Sequence, residues 1–291
     1  MKWSEMFALS IINTFGVQIS INIYMKQLIF FLILSYPVIL YGQKSFSTGT
    51  FQNLESYKLL GSAEIINDDL QLTDGEEWVA GACWYNKKVL VEYGFETEFQ
   101  FKIDRNGGWG EKGADGFAFV ISNDPNGFRV GSKGEGIGYQ GIRNCLVIEF
   151  DTFDNQEGGD NHISIHNNGH DEVSRFNNHS LGSNHRIPEL QNTIRKAKIT
   201  YDFKYIRVYI DGILYLKEEI HLEKKVRLSN GKAYIGFTAS TAGAYSRHRI
   251  LNWTWKREKK ILVYNPTSTP TKTDIFYCST QAILKKQMPL V

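Results

Sequence analysis

Apolar and polar side chains alternate in short runs between residues 46 and 256, and turn-forming sequences separate the runs. The clearest run, FETEFQF at residues 95–101, has the two-residue period of a strand with one buried face. Asp211 and Gly212 lie between the runs YIRVYI and ILYLK, a sequence typical of a tight β-hairpin. No long stretch repeats with a helical period. The pattern therefore predicts an all-β protein, a β-sandwich or jelly roll.

Each predicted strand is short, rich in β-branched or aromatic residues, and bounded by turn-forming residues such as Gly, Asn or Asp. The strands are expected at residues 57–66, 69–73, 81–86, 89–103, 114–122, 145–150, 196–201, 205–210, 213–217, 232–239 and 248–256. An all-β sandwich of about 200–250 residues is often one domain, so this regular series favours a single domain over two.

The two ends of the chain differ from this pattern. Lys26 precedes an apolar run that is too short to span a membrane, an arrangement typical of a secretory signal. We therefore expect residues 1–43 to be an upstream extension followed by a signal at 25–42, with an uncleaved anchor as the alternative. The sandwich domain is expected at residues 46–258, and the Pro- and Thr-rich segment 259–291 is expected to be a linker-like tail. The expected location is secreted or extracytoplasmic, the cell surface included.

Charge and cysteine content limit the classes of protein further. The chain has 33 basic and 31 acidic residues and a formal net charge of +2. This near-balance gives no argument for a nucleic acid or an anionic membrane as a partner. The three cysteines, Cys83, Cys145 and Cys278, do not form a disulfide framework. Cys83 and Cys145 lie in apolar runs, which favours two buried thiols and leaves a bridge between them open.

The densest group of polar side chains lies at residues 145–169. The predicted strand CLVIEF is followed by Asp151, so Glu149 and Asp151 are two positions apart and project from the same face. Asn155 and His162 follow soon afterwards. Two adjacent carboxylates repel each other unless a cation lies between them or one of them takes a proton. The pattern thus leaves two interpretations open, a metal site and a pair of acids for catalysis.

Four segments in a fixed order point to a known family. They are LTDGEEWVAGACWY at 72–85, GADGFAFVIS at 113–122, GYQGI followed by NCLVIEFDTFDN at 138–155, and AYIGFTASTAGAYSRHRILNWTW at 233–255. On these segments the chain resembles an L-type lectin, the family that includes the legume seed lectins and related secretory-pathway lectins. The resemblance implies a concanavalin A-like jelly roll of two antiparallel sheets. It further implies a non-catalytic, metal-dependent protein that binds glycans or glycoproteins.

The resemblance also implies two metal ions beside a sugar site. A transition metal, usually manganese, would be held by Glu149, Asp151, Asp160 and His162. Calcium would be held by Asp151, the Phe153 carbonyl, Asn155 and Asp160. Calcium takes several oxygen ligands, whereas an imidazole among carboxylates suits manganese or zinc better.

The spacing before His162 departs from the family pattern. Asp160 precedes His162 by two positions, whereas legume members have a longer spacing. Glu157 is then a candidate for a supporting or substitute ligand. A His162 that faced away would leave a site for calcium alone.

The sugar site implied by the resemblance uses short loops around the metal strand. Its residues would be Asp115, a backbone N–H near Gly138, the Phe153 ring, Asn155, and Ala242 and Gly243 in the wall formed by residues 241–244. An Asp carboxylate accepts bonds from sugar hydroxyls, an Asn amide both donates and accepts, and an aromatic ring stacks on the apolar face of a pyranose. The peptide bond between Ala114 and Asp115 is expected to be cis. Weak affinity for single sugars would make multivalent binding by a homo-oligomer important.

Two other functions stay open from the sequence. A jelly-roll glycoside hydrolase of the laminarinase-like class would use Glu149 and Asp154 as its pair of acids. Asp154 is one carbon shorter than the glutamate that such a pair requires, and the segments ADG and GFTAST would have no role. The other alternative is a sandwich domain that serves in adhesion without binding sugar.

Overall fold

A computed structural model of the protein describes residues 46–48, 51–109 and 112–257. The predicted upstream extension, the signal at 25–42, the tail at 259–291 and Cys278 lie outside the described residues. None of the helices within the described ranges is long and apolar enough to cross a membrane.

The described residues form short strands and very little helix, as the alternating pattern predicts. The strands are β1 (Phe46–Thr48), β2 (Tyr57–Gly61), β3 (Glu64–Ile66), β4 (Asp69–Asp74), β5 (Ala80–Tyr85), β6 (Val89–Leu90), β7 (Phe95–Gly108), β8 (Gly116–Ser122), β9 (Cys145–Asp151), β10 (His162–His166), β11 (Ser180–Asn184), β12 (Ile194–Tyr201), β13 (Tyr205–Ile210), β14 (Ile213–Glu219), β15 (Lys232–Ser240) and β16 (Ala244–Arg257). The helical segments are three 3₁₀ turns and one short helix, Leu54–Ser56, Gly134–Gly136, Asn177–His179 and α1 (Leu222–Lys225).

The strands pair into two antiparallel sheets of eight strands each. The first sheet has the order β14-β13-β12-β7-β16-β4-β3, and β1 pairs with β16. The second has the order β11-β10-β9-β8-β15-β5-β2, and β6 pairs with β15. The prediction of an all-β sandwich of two antiparallel sheets is therefore confirmed.

Aromatic side chains fill the space between the sheets. The fully buried Phe99 of β7 is central, with its ring centroid 4.9 Å from that of Phe237, 5.9 Å from Phe150 and 6.1 Å from Phe117. All three pairs are edge-to-face, an arrangement that adds to the gain from burying apolar area. The alternation at residues 95–101 predicts the buried face correctly.

The central strands β8 and β9 of the second sheet are buried on both faces. Phe117 and Phe119 of β8 pack between the sheets, whereas Ala118 and Val120 pack against a second apolar cluster that includes Tyr139. A strand covered on both faces buries side chains at every position, which is why β8 and the first four residues of β9 are almost entirely apolar. On this outer face the strand β9 presents its carboxylates.

The two described cysteines lie on opposite faces of this sheet. Cys83 belongs to the cluster between the sheets and Cys145 to the outer cluster. Both are free thiols, and burial raises the pKa of each. The interpretation as two buried thiols is confirmed, and a bridge between them is wrong because the sheet separates their side chains.

Some strands differ from the predicted ones at backbone breaks. The predicted strand 89–103 is divided into β6 and β7, and Gly94 between them has a φ of 119°, which interrupts a strand of L-residues. The sequence pattern gives no sign of β11, because SLGSN has only one large apolar residue and its side chains are partly exposed.

Gly212 gives a direct test of the predicted hairpin. It lies in the turn between β13 and β14 at a φ of 84°, and a methyl group added there would meet open space. Gly212→Ala is therefore expected to destabilise the protein only through backbone strain, by about 1–2 kcal/mol. Urea denaturation would measure the loss, with Gly212→Asn as the matched control, since Asn tolerates a positive φ. Equal losses in both variants would contradict this explanation.

Candidate functional site

Strand register brings the polar side chains of β9 and β10 together. Asp151 lies opposite His162, and Glu149 lies opposite Ser164. All of these side chains are buried, and ligand atoms of Glu149, Asp151 and His162 lie within 4.8 Å of one another. His162 therefore faces the two carboxylates, and the alternative in which it faces away is wrong.

Glu149 is held by three side chains. The Tyr139 hydroxyl donates to its Oε1 at 2.9 Å, and the Ser164 hydroxyl donates to its Oε2. His166 Nε2 also lies 2.9 Å from Oε2. These partners fix the orientation of the carboxylate within the buried face of the sheet.

The pKa values of the two carboxylates of β9 are shifted in opposite directions. Burial raises the pKa of Asp151 well above its ordinary value, and the nearby charge of Glu149 raises it further. Burial also acts to raise the pKa of Glu149, but the charge and hydrogen bond of His166 outweigh it, and the net shift is downward. Without a cation, the pair therefore carries one charge, whereas a cation between the groups would allow both to ionise.

His162 has the properties of a neutral ligand. Burial lowers the pKa of its imidazole, and its Nδ1 is buried without a hydrogen-bond partner. Its Nε2 lies 3.9 Å from Oε2 of Glu157, and its ring stacks on that of His185 with centroids 4.6 Å apart. Metal ions bind the neutral form of imidazole, so this environment suits a ligand.

The structure places Glu157, and not Asp160, beside this cluster. The Glu157 side chain is mostly buried and lies 3.3 Å from Arg175, with Oε1 facing the guanidinium. Asp160 is half-exposed, and its Oδ2 lies 2.7 Å from the Lys112 ammonium.

The donor set fits the metals that the resemblance implies. The cluster supplies two carboxylates and one imidazole, which suits a transition metal. The Phe153 N–H donates to Asp151 Oδ1 at 2.7 Å, so the turn after β9 folds back toward the carboxylates. In the same turn, Asn155 Oδ1 is buried without a hydrogen-bond partner. An unpartnered buried amide oxygen is a ligand of the kind that calcium takes.

Asp115 immediately precedes the neighbouring strand β8. The peptide bond between Ala114 and Asp115 is cis, as the resemblance predicts. The Asp115 carbonyl accepts from Thr152 N–H at 2.9 Å, and its N–H donates to the Ser240 carbonyl at 3.1 Å. These bonds connect Asp115 to the turn after β9 and to the end of β15, so three separate segments converge at this point.

The Asp115 carboxylate is buried and incompletely paired. The residue is 2% exposed, and its Oδ2 has no hydrogen-bond partner. Burial raises the pKa of this carboxyl, the charge of Glu135 adds to the rise and Arg175 opposes it, and together they give a pKa of about 7. A buried carboxylate oxygen of this kind is suited to accept a hydrogen bond from a ligand.

Gly138 lies beneath the site rather than at its surface. Its N–H donates to the Ser132 carbonyl at 2.9 Å, and a Cβ added to it would lie 2.7 Å from the Ala239 carbonyl oxygen. The N–H of Gly138 itself is therefore already engaged, and the use of a backbone N–H near Gly138 for sugar binding stays a prediction. Gly134 in the same loop lies beside the wall instead, with a Cβ position 3.3 Å from the Ala242 methyl group.

A charged bridge, which no sequence motif predicts, connects the surroundings of Asp115 with those of His162. Arg175 lies 2.7 Å from Glu135, whose charge reaches Asp115, and 3.3 Å from Glu157, whose side chain lies beside His162. These residues come from three loops that no strand pattern connects. The only sequence signal is the position of Glu135 in the glycine-rich loop 131–138.

The pair of acids required by a hydrolase is not formed. Asp154 is exposed, and its Oδ1 accepts from the Glu157 N–H at 2.9 Å in the turn. Glu149 is buried on the outer face of the sheet with Tyr139, Ser164 and His166 as partners. A retaining pair must flank one bond of a substrate, and these two carboxylates do not share a cleft surface.

Comparisons with known proteins agree with this geometry. Residues 48–253 match the family model of the legume lectin β-barrel domain, an L-type lectin domain. Favin from Vicia faba is 29% identical over 222 residues, which are 68% of this chain and 88% of favin. The crystal structure of basic winged bean lectin with Tn-antigen has a TM-score of 0.61 and 26% identity, and covers 74% of this chain and 98% of that lectin.

The chain belongs to the L-type lectin family. L-type lectin-domain containing receptor kinase V.9 from Arabidopsis thaliana is also similar, at 29% identity over 214 residues, which are 64% of this chain. The chain spans about a third of the length of this relative, since 32% of the kinase is matched. The match and the relatives confirm the prediction of a non-catalytic lectin domain, and they make a hydrolase the wrong interpretation.

Proposed function

We propose that this protein is a metal-dependent lectin that binds glycans or glycoproteins at Asp115. The observation that carries the proposal is the unpartnered, buried oxygen of Asp115 at the point where three segments converge. A buried carboxylate without a partner is costly, and sugar hydroxyls are suitable donors. The winged bean relative was solved with Tn-antigen, which supports a glycan as the ligand class.

Each neighbouring residue has a separate role in this proposal. Asn155 offers an amide beside the metal cluster, and the half-buried Phe153 offers an aromatic face to a pyranose ring. Ala242 and Gly243 form the wall, and small side chains there leave room for the sugar. Gly138 supports the loop from beneath and makes no contact with the sugar.

We propose calcium as one resident ion, with manganese or another transition metal as the second. Asp151, the Phe153 carbonyl and Asn155 would hold calcium, and Glu149, Asp151 and His162 would hold the transition metal. Glu157 replaces Asp160 as the additional carboxylate in this proposal. The bound cations would keep both carboxylates of β9 ionised and fix the turn that carries Asn155.

The proposed location is secreted or extracytoplasmic. Receptor kinases among the relatives and a signal pattern at residues 25–42 support it. In the same proposal residues 46–258 form the lectin domain, residues 259–291 form a linker-like tail, and homo-oligomers raise the avidity for multivalent glycans.

A glycan array tests the proposed function. We expect the protein to bind a subset of the glycans in calcium and manganese, and to lose that binding when a chelator removes the ions. Incubation with β-glucans should release no reducing sugar. Binding that survives complete metal removal would contradict the metal dependence, and an absence of binding to any glycan would contradict the lectin proposal.

A further inference from the structure

Two tryptophans flank the wall of the proposed sugar site. Trp78 precedes β5 and Trp109 follows β7, so they come from different parts of the chain. Their backbone N–H groups donate to the carbonyls of consecutive wall residues, Trp78 to Ala242 and Trp109 to Gly243, each at 3.2 Å. Both aromatic residues are therefore anchored to the loop that encloses the site.

Both indole rings are exposed although indoles are normally buried. Trp78 is 54% exposed and Trp109 is 71% exposed, whereas the other tryptophans among the described residues are at most 2% exposed. Single exposed apolar residues need no explanation, but two exposed indoles whose backbones are bonded to consecutive residues of one loop are the kind of exposed apolar groups that mark a binding site.

The backbone around these residues holds them in place. Trp78 has a φ of 55°, which is unusual for a bulky residue and typical of functional sites. The Trp109 ring packs on Gly243, where an added Cβ would lie 2.9 Å from Cε2 of the ring. A side chain at position 243 would displace the indole, so the Trp109 ring can pack here only because residue 243 is a glycine.

The loop also connects the tryptophans to Asp115. Thr241 accepts at its carbonyl from the Gly134 N–H at 3.1 Å, and its hydroxyl donates to the Glu76 carbonyl at 2.7 Å. The preceding residue, Ser240, accepts from the Asp115 N–H. Residues 240–243 thus run without interruption from the residue that would bind the first sugar to the residues that bond the backbones of both tryptophans.

We propose that Trp78 and Trp109 form outer subsites for the second and third residues of an extended glycan. Indole rings stack on the apolar face of a pyranose, so the surface suits a chain of sugars better than a single one. This inference rests on the proposed function, because Asp115 supplies the position of the first sugar. It assigns oligosaccharides of at least three residues as the preferred ligand class.

Titration of the full chain with sugars of two lengths tests the outer subsites. The probes are methyl α-D-mannoside with a mannotriose, and methyl α-D-galactoside with a galactose-terminated trisaccharide, in calcium and manganese. The measured quantity is the ratio of the monosaccharide Kd to the trisaccharide Kd. Trp109→Ala and Trp78→Ala are each expected to lower this ratio by about threefold to tenfold. Ile213→Ala, an exposed apolar residue in the hairpin of the first sheet, is the matched control and should leave the ratio unchanged.

Tryptophan fluorescence gives a second measurement on the same samples. The trisaccharides should protect the exposed indoles from acrylamide quenching, and the monosaccharides should protect them much less. The double variant Trp78→Ala, Trp109→Ala should show no such protection.

The outcomes separate this inference from the proposed function. Equal ratios in the wild type and both tryptophan variants, with Asp115-dependent binding retained, would overturn the outer subsites alone. A change of oligomeric state in the variants, measured by light scattering, with an unchanged ratio would instead assign the surface to a second copy of this chain. No binding of any probe by the wild type would overturn the proposed function and this inference with it.

Discussion

Asp115→Asn is expected to weaken glycan binding by about a hundredfold or more. The substitution keeps the shape of the side chain but removes the charge and replaces one acceptor oxygen with a donor group. Sugar hydroxyls that donate to the buried carboxylate would then face an N–H group, and loss of a buried charged acceptor costs about 2–5 kcal/mol. Isothermal titration with the best glycan from the array would measure the change. Asp154→Asn, in the exposed turn nearby, is the matched control and should bind as the wild type does.

Although Asp115→Asn should weaken glycan binding, we expect it to favour folding of the metal-free protein at neutral pH. Because burial and Glu135 raise the pKa of Asp115 to about 7, the metal-free folded protein binds more protons than the unfolded chain between about pH 4 and 7. Stability should therefore fall as the pH rises through that window, and Asp115→Asn should remove this part of the fall. Urea denaturation of chelated protein at low and neutral pH would show it. A variant that lost stability at neutral pH would indicate that its weak binding reflects misfolding.

Calcium is expected to raise the Tm of the metal-free protein by about 5–10 °C at a concentration of about a hundred times its Kd. A ligand at that excess stabilises the folded state by about 2.7 kcal/mol, and each kcal/mol shifts a domain of this size by about 2–4 °C. The cation would also allow Glu149 and Asp151 to be ionised together. Asp151→Asn should abolish the shift without lowering the Tm of the metal-free protein, since Asn resembles the protonated acid. Differential scanning calorimetry would measure both.

The size of the calcium shift should depend on pH. Burial and the Glu149 charge raise the pKa of Asp151, so protons compete with the cation at this carboxylate. The shift should therefore grow as the pH rises. A shift that stayed constant with pH, or one that persisted in Asp151→Asn, would place the cation elsewhere.

Two further variants distinguish the candidate carboxylates of the metal loop. Glu157→Gln should reduce the metal-induced rise in Tm, because this side chain lies beside His162 and is mostly buried. Asp160→Asn should leave the rise nearly unchanged, because its carboxylate is half-exposed and paired with Lys112. If Asp160→Asn reduced the rise in Tm and Glu157→Gln did not, Asp160 would be the metal ligand, as the resemblance implies.

The spacing of residues along single strands could be predicted from the sequence because the strand period is local. Alternation at residues 95–101 identifies the buried face of β7, and the two-residue spacing of Glu149 and Asp151 places both on one face of β9. The segment ADG predicts the unusual backbone at Asp115. The family follows from the order of the four sequence segments that resemble L-type lectins. That order can be read along the chain without any knowledge of long-range contacts.

The loops could not be predicted in the same way. Gly138 belongs to a motif, but only the folded loop shows that its N–H donates to the Ser132 carbonyl. That Glu157 lies beside His162 while Asp160 pairs with Lys112 depends on the path of the loop between β9 and β10. A sequence motif gives the residue types near a site, and it does not give the direction in which a loop side chain points.

The sequence by itself determined the all-β class, the family, the carboxylate pair of β9 and the position of Asp115. Only the tertiary structure decided that Arg175 joins Glu135 to Glu157, and that Trp78 and Trp109 stand beside the same wall. The physical reason is the range of the contacts. Strand faces follow from neighbours two residues apart, whereas the wall is held by bonds such as that between Thr241 and Glu76, 165 residues apart in the chain.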